Sequence, residues 1–167
     1  KEKGKDGVTA FAFPAGTKGL SVGRKLHKLG MRSSDTAELV FEDLEAGPEA
    51  VVGQVNSGFR DTMKNLAGGR ISIAALSVGI GLGAMREALA YSRERTQFGQ
   101  AVSEFQAIRW MFADMGTELE AAELMTFRAA YLKDAGRPYI REASMAKLFA
   151  SEAAMRATIK AVQVFGG

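Results

Sequence analysis

Residues 71–100, ISIAALSVGIGLGAMREALAYSRERTQFGQ, decide the fold, because the spacing of their apolar residues predicts one long helix that finishes in a polar tip. Residues 71–85 contain no charged side chain, whereas residues 92–100 contain two arginines, two amides, an aromatic ring and a glycine. Such a tip is either a solvated helix end, where the helix dipole favours arginine, or a cluster of donors for a negatively charged ligand.

The composition is that of a folded protein without cysteine or metal chemistry. The chain has 167 residues, of which 47% are hydrophobic and 25% are charged, enough for one domain with a core or two small domains. It has no cysteine, and its single histidine, His27, cannot form a metal site alone, so we expect neither a disulfide nor a metal. The charge-free run is shorter than the ~20 apolar residues that span a bilayer, so we expect no membrane span.

The excess of basic charge is confined to the start of the chain. The net charge is +3, and residues 1–30 contain seven Lys and Arg against two Asp and Glu. Nucleic-acid binding would require aromatic residues interleaved with the basic ones on a single surface. That pattern is absent from this part of the sequence, so we interpret it as a solvated face and expect no nucleic-acid partner.

Residues 1–52 are predicted to form part of an antiparallel sheet. Three segments alternate or are rich in β-forming residues, namely 7–13 (GVTAFAF), 20–23 (LSVG) and 37–43 (AELVFED). The last places Leu39 and Phe41 on one face. Glycine and proline in residues 45–54 (EAGPEAVVGQ) predict a hinge after this segment.

Residues 53–167 are predicted to form an antiparallel bundle of long helices, so the fold class is α+β. Gly79, Gly81 and Gly83 would weaken the first helix by about 1 kcal/mol each, which predicts that another backbone packs closely against them. The predicted core stripes are Ile108, Met111, Met115, Leu119, Ala122, Met125, Ala129 and Leu132 on the second helix, and Ala143, Ala146, Ala150, Ala153, Ala157 and Ala161 on the third. The glycine pair at 166–167 is typical of a helix stop with more chain after it, so we expect part of a longer protein.

The polar tip of the first helix is the first candidate for chemistry. The guanidinium of Arg95 suits phosphate oxygens, the amide of Gln97 adds neutral donors, and the ring of Phe98 can cover a flat ligand. From spacing alone, an arginine favoured by the helix dipole is the simpler interpretation.

Three further features are individually weak. Gln106 begins the next helix, where a glutamine is usually a cap or surface residue. Residues 163–167, QVFGG, either end a helix or bring backbone N–H groups close to a pyrophosphate. Arg70 enters an apolar helix and needs a partner, which is either a carboxylate on another helix or an anionic or carbonyl-bearing ligand.

The order of these features resembles the acyl-CoA dehydrogenase family, most closely its short-chain, butyryl-CoA type. Residues 68–115, 127–154 and 163–167 resemble the C-terminal helical domain, and RTQFG followed by FQAI is its most specific motif. Residues 7–44 are similar to the last strands of the family's middle β-domain. The resemblance therefore divides the chain into residues 1–52, the end of that β-domain, and residues 53–167, a truncated helical-bundle domain.

The resemblance implies a flavin enzyme. The family binds FAD and oxidises acyl-CoA thioesters between the α and β carbons, with a glutamate that removes the α proton. Its members are usually homotetramers, dimers of dimers, with each FAD between two subunits and electron-transfer flavoprotein as the acceptor. The resemblance implies a cytoplasmic protein in a bacterium and a mitochondrial-matrix protein in a eukaryote.

The resemblance also assigns site residues. The position of Arg95 binds the FAD pyrophosphate of the neighbouring subunit, and Ala67 to Arg70 contact the CoA part of the substrate. The implied cofactor residues are Arg95, Gln97, Phe98, Gln106, Gln163, Val164, Phe165, Gly166 and Gly167, and the implied substrate residues are Ala67, Gly68, Gly69 and Arg70.

Two departures from the family pattern leave alternatives open. Ala67 stands where the family often has an aspartate that holds the CoA adenine, which suggests another thioester or a looser site. The catalytic glutamate of most members follows the glycine pair, beyond Gly167, and the alternative position is Gly69 here. No catalytic residue is therefore assigned, and a non-catalytic helical oligomerisation scaffold is the competing hypothesis.

Overall fold

The computed structural model describes residues 4–167, so residues 1–3 of the predicted β-domain segment lie outside the described residues. The chain forms two compact units, one that ends at Met63 and a second that comprises Lys64–Gly167. The predicted domain boundary at residues 52 and 53 stays a prediction.

The first unit contains two antiparallel strand pairs. Strand β1 (Ala10–Phe11) pairs with β4 (Val51–Val52), and β2 (Leu20–Lys25) pairs with β3 (Ala37–Phe41). Short 3-10 helices occupy Lys5–Gly7 and Pro48–Ala50. The antiparallel sheet of the predicted α+β fold is confirmed, although the first predicted strand is only two residues long.

The predicted hinge is part of this unit's sheet. Residues 45–54 include β4, whose Val52 lies opposite Ala10 of β1, and the Ala12 N–H donates to the Ala50 carbonyl at 2.8 Å. Backbone pairing therefore holds a segment whose glycine and proline content predicted a flexible connection.

Helix α1 comprises Gly58–Glu94, 37 residues, and carries the charge-free run. By length and composition alone it could cross a membrane, although a core helix of a soluble protein passes the same test. The expected absence of a membrane span, which rested on the length of the charge-free run, therefore stays a prediction.

Only one of the three glycines predicted to meet another backbone does so. A Cβ at Gly81 would collide with a methyl group of Leu119 and lie 3.4 Å from the Cα of Ala154, whereas a Cβ at Gly79 or Gly83 would meet no atom within 4 Å. The expectation was wrong for Gly79 and Gly83, because two residues along a helix turn a side chain about 200° away from the packed face.

Helices α2 (Gln106–Asp134) and α3 (Ile140–Phe165) confirm the predicted stripes. Every predicted core position on α2 is buried or half-buried, and every predicted alanine on α3 is buried. Gly136 ends α2 at φ 65°, where the Arg137 N–H donates to the Leu132 carbonyl and the Gly136 N–H to the Lys133 carbonyl. This closure is the Schellman pattern, and it reverses the chain into α3.

The three helices share a core in the second unit. Ala74 of α1 belongs to one cluster with Ala129 and Ala143, and Ala88 belongs to another with Ala161 and Val164. Helix α1 therefore runs antiparallel to α2 and parallel to α3. The surface pairs Arg156–Glu118 at 2.9 Å and Lys160–Asp114 at 2.7 Å also join α3 to α2.

Candidate functional site

The polar tip of α1 folds into a β-hairpin with a two-residue turn. Strand β5 (Thr96–Gln97) pairs with β6 (Gln100–Ala101), and Phe98 and Gly99 form the turn with φ values of 54° and 84°. Positive φ at both turn positions matches the twist of a type I′ hairpin. A phenylalanine rarely adopts this conformation, so the turn holds its ring at the tip against a backbone preference.

The side chains of this tip are free to meet a ligand. The Arg95 guanidinium is exposed and has no hydrogen-bond or ion-pair partner within residues 4–167. The Phe98 side chain is 95% exposed, and its ring lies edge-on to that of Phe105 with centroids 6.3 Å apart. The Gln97 amide donates to the Thr96 carbonyl at 2.8 Å, and Gln106 is an exposed first residue of α2.

The glycine pair after α3 serves the helix end. Gly166 adopts φ 93°, its N–H donates to the Gln163 carbonyl at 3.1 Å, and the Gly167 N–H donates to the Val162 carbonyl at 3.2 Å. Both N–H groups are therefore used in a Schellman closure. In this structure, neither N–H group is available to the pyrophosphate that was one of the two predicted alternatives. The exposed backbone of the two glycines, which have no Cβ, is still accessible to a ligand.

The two candidate cofactor segments lie at the same end of the helical unit. The ring of Phe165 packs on that of Tyr91 with centroids 4.6 Å apart, and the Arg95 N–H donates to the Tyr91 carbonyl at 2.9 Å. Val164 is buried with Ala88, and Ile108 near the start of α2 packs against the same cluster. The sequence analysis did not identify Tyr91. Its position one helical turn before Arg95 could have indicated that it lies near the same candidate site. The structure thus brings all nine predicted cofactor residues to one end.

The predicted substrate residues lie on the opposite part of α1. Ala67 is buried, Gly69 is open to solvent, and the Arg70 guanidinium donates to Ser144 Oγ at 2.7 Å. A Cβ at Gly68 would lie 3.5 Å from the ammonium of Lys133. Lys133 and Ser144 were not identified from the sequence, because each comes from another helix.

Within residues 4–167, Arg70 does not pair with a carboxylate, which was one of its two predicted partners. Its side chain is exposed, and its partner is a neutral hydroxyl rather than a carboxylate. Arg70 lies three residues after Ala67 and four before Ala74, beside the buried stripe of α1, and its long side chain extends from there to Ser144 of α3. The charge of Arg70 is therefore available to an anionic ligand.

The two ionisable groups with shifted pKa values do not form a catalytic base. The hydrogen bond from Arg141 is the main cause that holds the pKa of Glu142 below its usual value, whereas a general base for neutral pH needs a raised one. The hydrogen bond from Lys25 to Asp35 raises the pKa of Lys25, far from the helical unit in sequence. Within residues 4–167, no group of three His, Asp or Glu side chains could hold a metal.

Relatives of known name cover the whole chain. The chain is 49% identical over 167 residues to "Acyl-CoA dehydrogenase, short-chain specific" of Clostridium acetobutylicum. The alignment covers 100% of this chain and 44% of that protein. It is 43% identical over 165 residues to "Caffeyl-CoA reductase-Etf complex subunit CarC" of Acetobacterium woodii. That alignment covers 99% of this chain and 44% of the relative. The chain therefore spans less than half the length of the relatives that it matches.

Solved structures show the same fold. Butyryl-CoA dehydrogenase from Megasphaera elsdenii superposes with a TM-score of 0.95 at 43% identity, over 100% of this chain and 44% of that one. PigA with FAD and proline superposes with a TM-score of 0.95 at 32% identity, over 99% and 43%. The family described as "Acyl-CoA dehydrogenase, C-terminal domain" matches residues 56–167. Since this match covers the larger part of the sequence, the chain belongs to the acyl-CoA dehydrogenase family.

Proposed function

We propose that the protein containing this chain is an FAD-dependent dehydrogenase of acyl-CoA thioesters, with a short-chain substrate of the butyryl type. The observation that carries the proposal is that one end of the helical unit holds Arg95, Phe98 and residues 163–167, with a guanidinium that has no partner within residues 4–167 and a ring that is 95% exposed. When bound, FAD supplies the acceptor for the hydride that leaves the β carbon. The α proton would go to a glutamate of the full-length protein at the family position that follows the glycine pair, because the alternative position is Gly69 here.

The residues at this end fit a flavin dinucleotide. The Arg95 guanidinium offers a fork of donors to pyrophosphate oxygens, and the Phe98 ring offers an apolar cover. Gln97 and Gln106 add neutral donors once the Gln97 amide leaves the Thr96 carbonyl. The backbone of Gly166 and Gly167 lets a flat ligand approach closely, although their N–H groups stay in the helix cap.

The separation of the two clusters supports a site shared between subunits. Arg70 and Arg95 are 25 residues apart in the sequence, which corresponds to roughly 37 Å along a helix. We infer that Arg95 serves the cofactor of a neighbouring copy in a homotetramer, a dimer of dimers. Exposed apolar residues on α3 support association: Met145, Leu148, Met155, Ile159 and Val162.

The substrate end supports a contact with an anion. Arg70 and Lys133 place two cations near Gly68 and Gly69, where phosphate groups of a CoA thioester would be stabilised. Ala67 is buried, so the proposed contact with the anion falls to Gly68, Gly69 and Arg70. The electron acceptor in this proposal is an electron-transferring flavoprotein, and the name of the Acetobacterium woodii relative places that protein in a complex with an Etf.

An absorbance spectrum of the full-length protein tests the proposal. We expect a bound flavin spectrum that butyryl-CoA bleaches under anaerobic conditions, and we expect weaker bleaching by long-chain acyl-CoA. A protein that carries flavin but is bleached by no acyl-CoA in the panel would contradict the substrate class. A protein that carries no flavin and still assembles into an oligomer would favour the alternative, a non-catalytic scaffold, which the glycine at position 69 keeps open.

A further inference from the structure

The guanidinium of Arg70 on α1 has one hydrogen-bond partner within residues 4–167, and that partner comes from another helix. A terminal nitrogen of Arg70 donates to Ser144 Oγ of α3 at 2.7 Å, across 74 residues of sequence. The hydroxyl of Ser144 donates its own proton to the Ile140 carbonyl, also at 2.7 Å. Ser144 Oγ is therefore an acceptor toward Arg70, and the other donors of the guanidinium are left for a further group.

Close packing of small residues fixes the distance between α1 and α3 at this point. Ala74, one turn after Arg70, and Ala143, next to Ser144, are both fully buried and belong to one cluster. Alanine has no side-chain rotamers to order, so this contact holds the two backbones in one arrangement. The half-buried hydroxyl of Ser144 is therefore a fixed point to which the exposed side chain of Arg70 can be tied.

A hydroxyl can orient a guanidinium without neutralising its charge. A carboxylate at the same place would form an ion pair with Arg70, and that pair would compete with an anionic ligand. Glu142 is the acidic residue of the first turn of α3, and it is engaged by Arg141 at 2.7 Å. The ammonium of Lys133, which would lie 3.5 Å from a Cβ at Gly68, has no ion-pair partner within the described residues. Both cations of the substrate end therefore keep their charge.

We propose that Ser144 is a positioning residue that orients the Arg70 guanidinium toward the phosphate groups of the acyl-CoA. This role rests on the proposed function, in which Arg70 contacts the CoA part of the substrate. A guanidinium that is already held loses little rotamer freedom when the substrate binds, so Ser144 increases affinity without touching the substrate. The pantetheine arm separates the phosphates from the reacting carbons. The effect of Ser144 therefore belongs to substrate binding and not to the chemical step.

Steady-state kinetics of the full-length protein with an electron-acceptor dye test this role. Ser144→Ala should raise the KM for butyryl-CoA by about fivefold to tenfold and leave kcat within about twofold, because the lost bond acts equally on bound substrate and transition state. Ser144→Thr keeps the oxygen and should restore the wild-type KM. Butyryl-pantetheine lacks the phosphate groups, so its KM should be the same for the wild type and Ser144→Ala.

Two further variants separate positioning from a loss of stability. In an Arg70→Ala background, Ser144→Ala should add no further rise in KM, because the hydroxyl then has no guanidinium to orient. Ser151→Ala is the matched control, since Ser151 is another half-buried serine of α3, and its hydroxyl donates to the Leu148 carbonyl of the same helix at 3.1 Å. This control should change neither kcat nor KM.

The opposite results overturn the proposed role of Ser144. An unchanged KM in Ser144→Ala, a Ser144→Thr variant as impaired as Ser144→Ala, or an equal rise in KM for butyryl-pantetheine would each do so. An undiminished effect in the Arg70→Ala background, or an equal effect of Ser151→Ala, would show that the hydroxyl acts through stability. A wild-type protein that oxidises no acyl-CoA with the dye would contradict the proposed function itself, so the two failures are distinguishable.

Discussion

At the scale of single residues, two arginines, one within α1 and one directly after it, are without a carboxylate partner in the described residues. Arg95 follows the last turn of α1, where a hairpin carries it past the helix end, and it has no side-chain partner within the described part of the chain. Arg70 lies in the middle of the same helix and is held by one neutral hydroxyl at 2.7 Å. Neither charge is neutralised, and this is the condition under which an arginine binds phosphate well.

Arg95→Ala should loosen FAD in the full-length protein. Loss of a charge-assisted hydrogen bond costs about 1.5–3 kcal/mol, so the dissociation constant should rise roughly tenfold to a hundredfold. The measurement is flavin absorbance retained after dialysis, with circular dichroism to show an unchanged fold. Arg93→Ala removes an exposed arginine two residues earlier and is the matched control. Equal FAD retention in the two variants would contradict the role assigned to Arg95.

The Arg141–Glu142 pair makes a prediction about pH. The pKa of Glu142 is depressed by the hydrogen bond from Arg141, so its stabilising effect is complete above pH 4.5, the usual value, and is lost as pH falls through the lower folded value. Arg141→Ala should move the Glu142 pKa upward. The unfolding midpoint of this variant should depend less on pH below 4.5 than that of the wild type. NMR titration of the Glu142 carboxyl carbon measures the shift. A pKa that does not rise in the variant would show that Arg141 is not its cause.

At the scale of elements, α1 contains one glycine at a packed position and two glycines at exposed positions. Gly81 lets the helix lie against Leu119 and Ala154, whereas Gly79 and Gly83 are exposed. Periodicity cannot separate these roles, because three glycines at alternate positions look alike in the sequence. The caps of α2 and α3 are a different case, since a glycine at the end of an apolar stripe specifies its own left-handed closure.

Alanine substitutions should therefore have opposite effects along this helix. Gly79→Ala and Gly83→Ala should each raise the free energy of unfolding by up to about 1 kcal/mol, because alanine restricts the unfolded chain and favours helix. Gly81→Ala should lower it by about 1–3 kcal/mol, because its Cβ overpacks the contact with Leu119. Urea unfolding of the 167-residue chain measures all three. Equal destabilisation by Gly79→Ala would show that another surface covers that position.

At the scale of the whole molecule, the proposed function makes one chain contribute to two sites. Arg70 and Arg95 are separated by roughly 37 Å along α1. In that proposal Arg95 serves the cofactor of a neighbouring copy, so a site is complete only after the copies assemble. The exposed apolar residues of α3 are consistent with such an assembly.

The 167-residue chain alone should not oxidise butyryl-CoA with an electron-acceptor dye. Neither position that the family uses for its base holds a glutamate within these residues, and the carboxyl of Glu142 has a lowered pKa. The full-length protein in the same assay is the positive control. Measurable turnover by the pure 167-residue chain would overturn the account of the base.

The sequence by itself determined the three long helices, their order and the family. The stripes of α2 and α3, the stop at Gly166 and the motif around Arg95 are local patterns, because helix period and glycine caps depend on neighbours within one or two turns. The tertiary structure alone decided which features meet. It placed Tyr91 on Phe165, gave Arg70 a hydroxyl partner, made Gly81 but not Gly79 or Gly83 a close contact, and used the last two glycine N–H groups in a cap. These outcomes depend on the rotation of each helix about its axis, which is fixed by packing between residues distant in sequence.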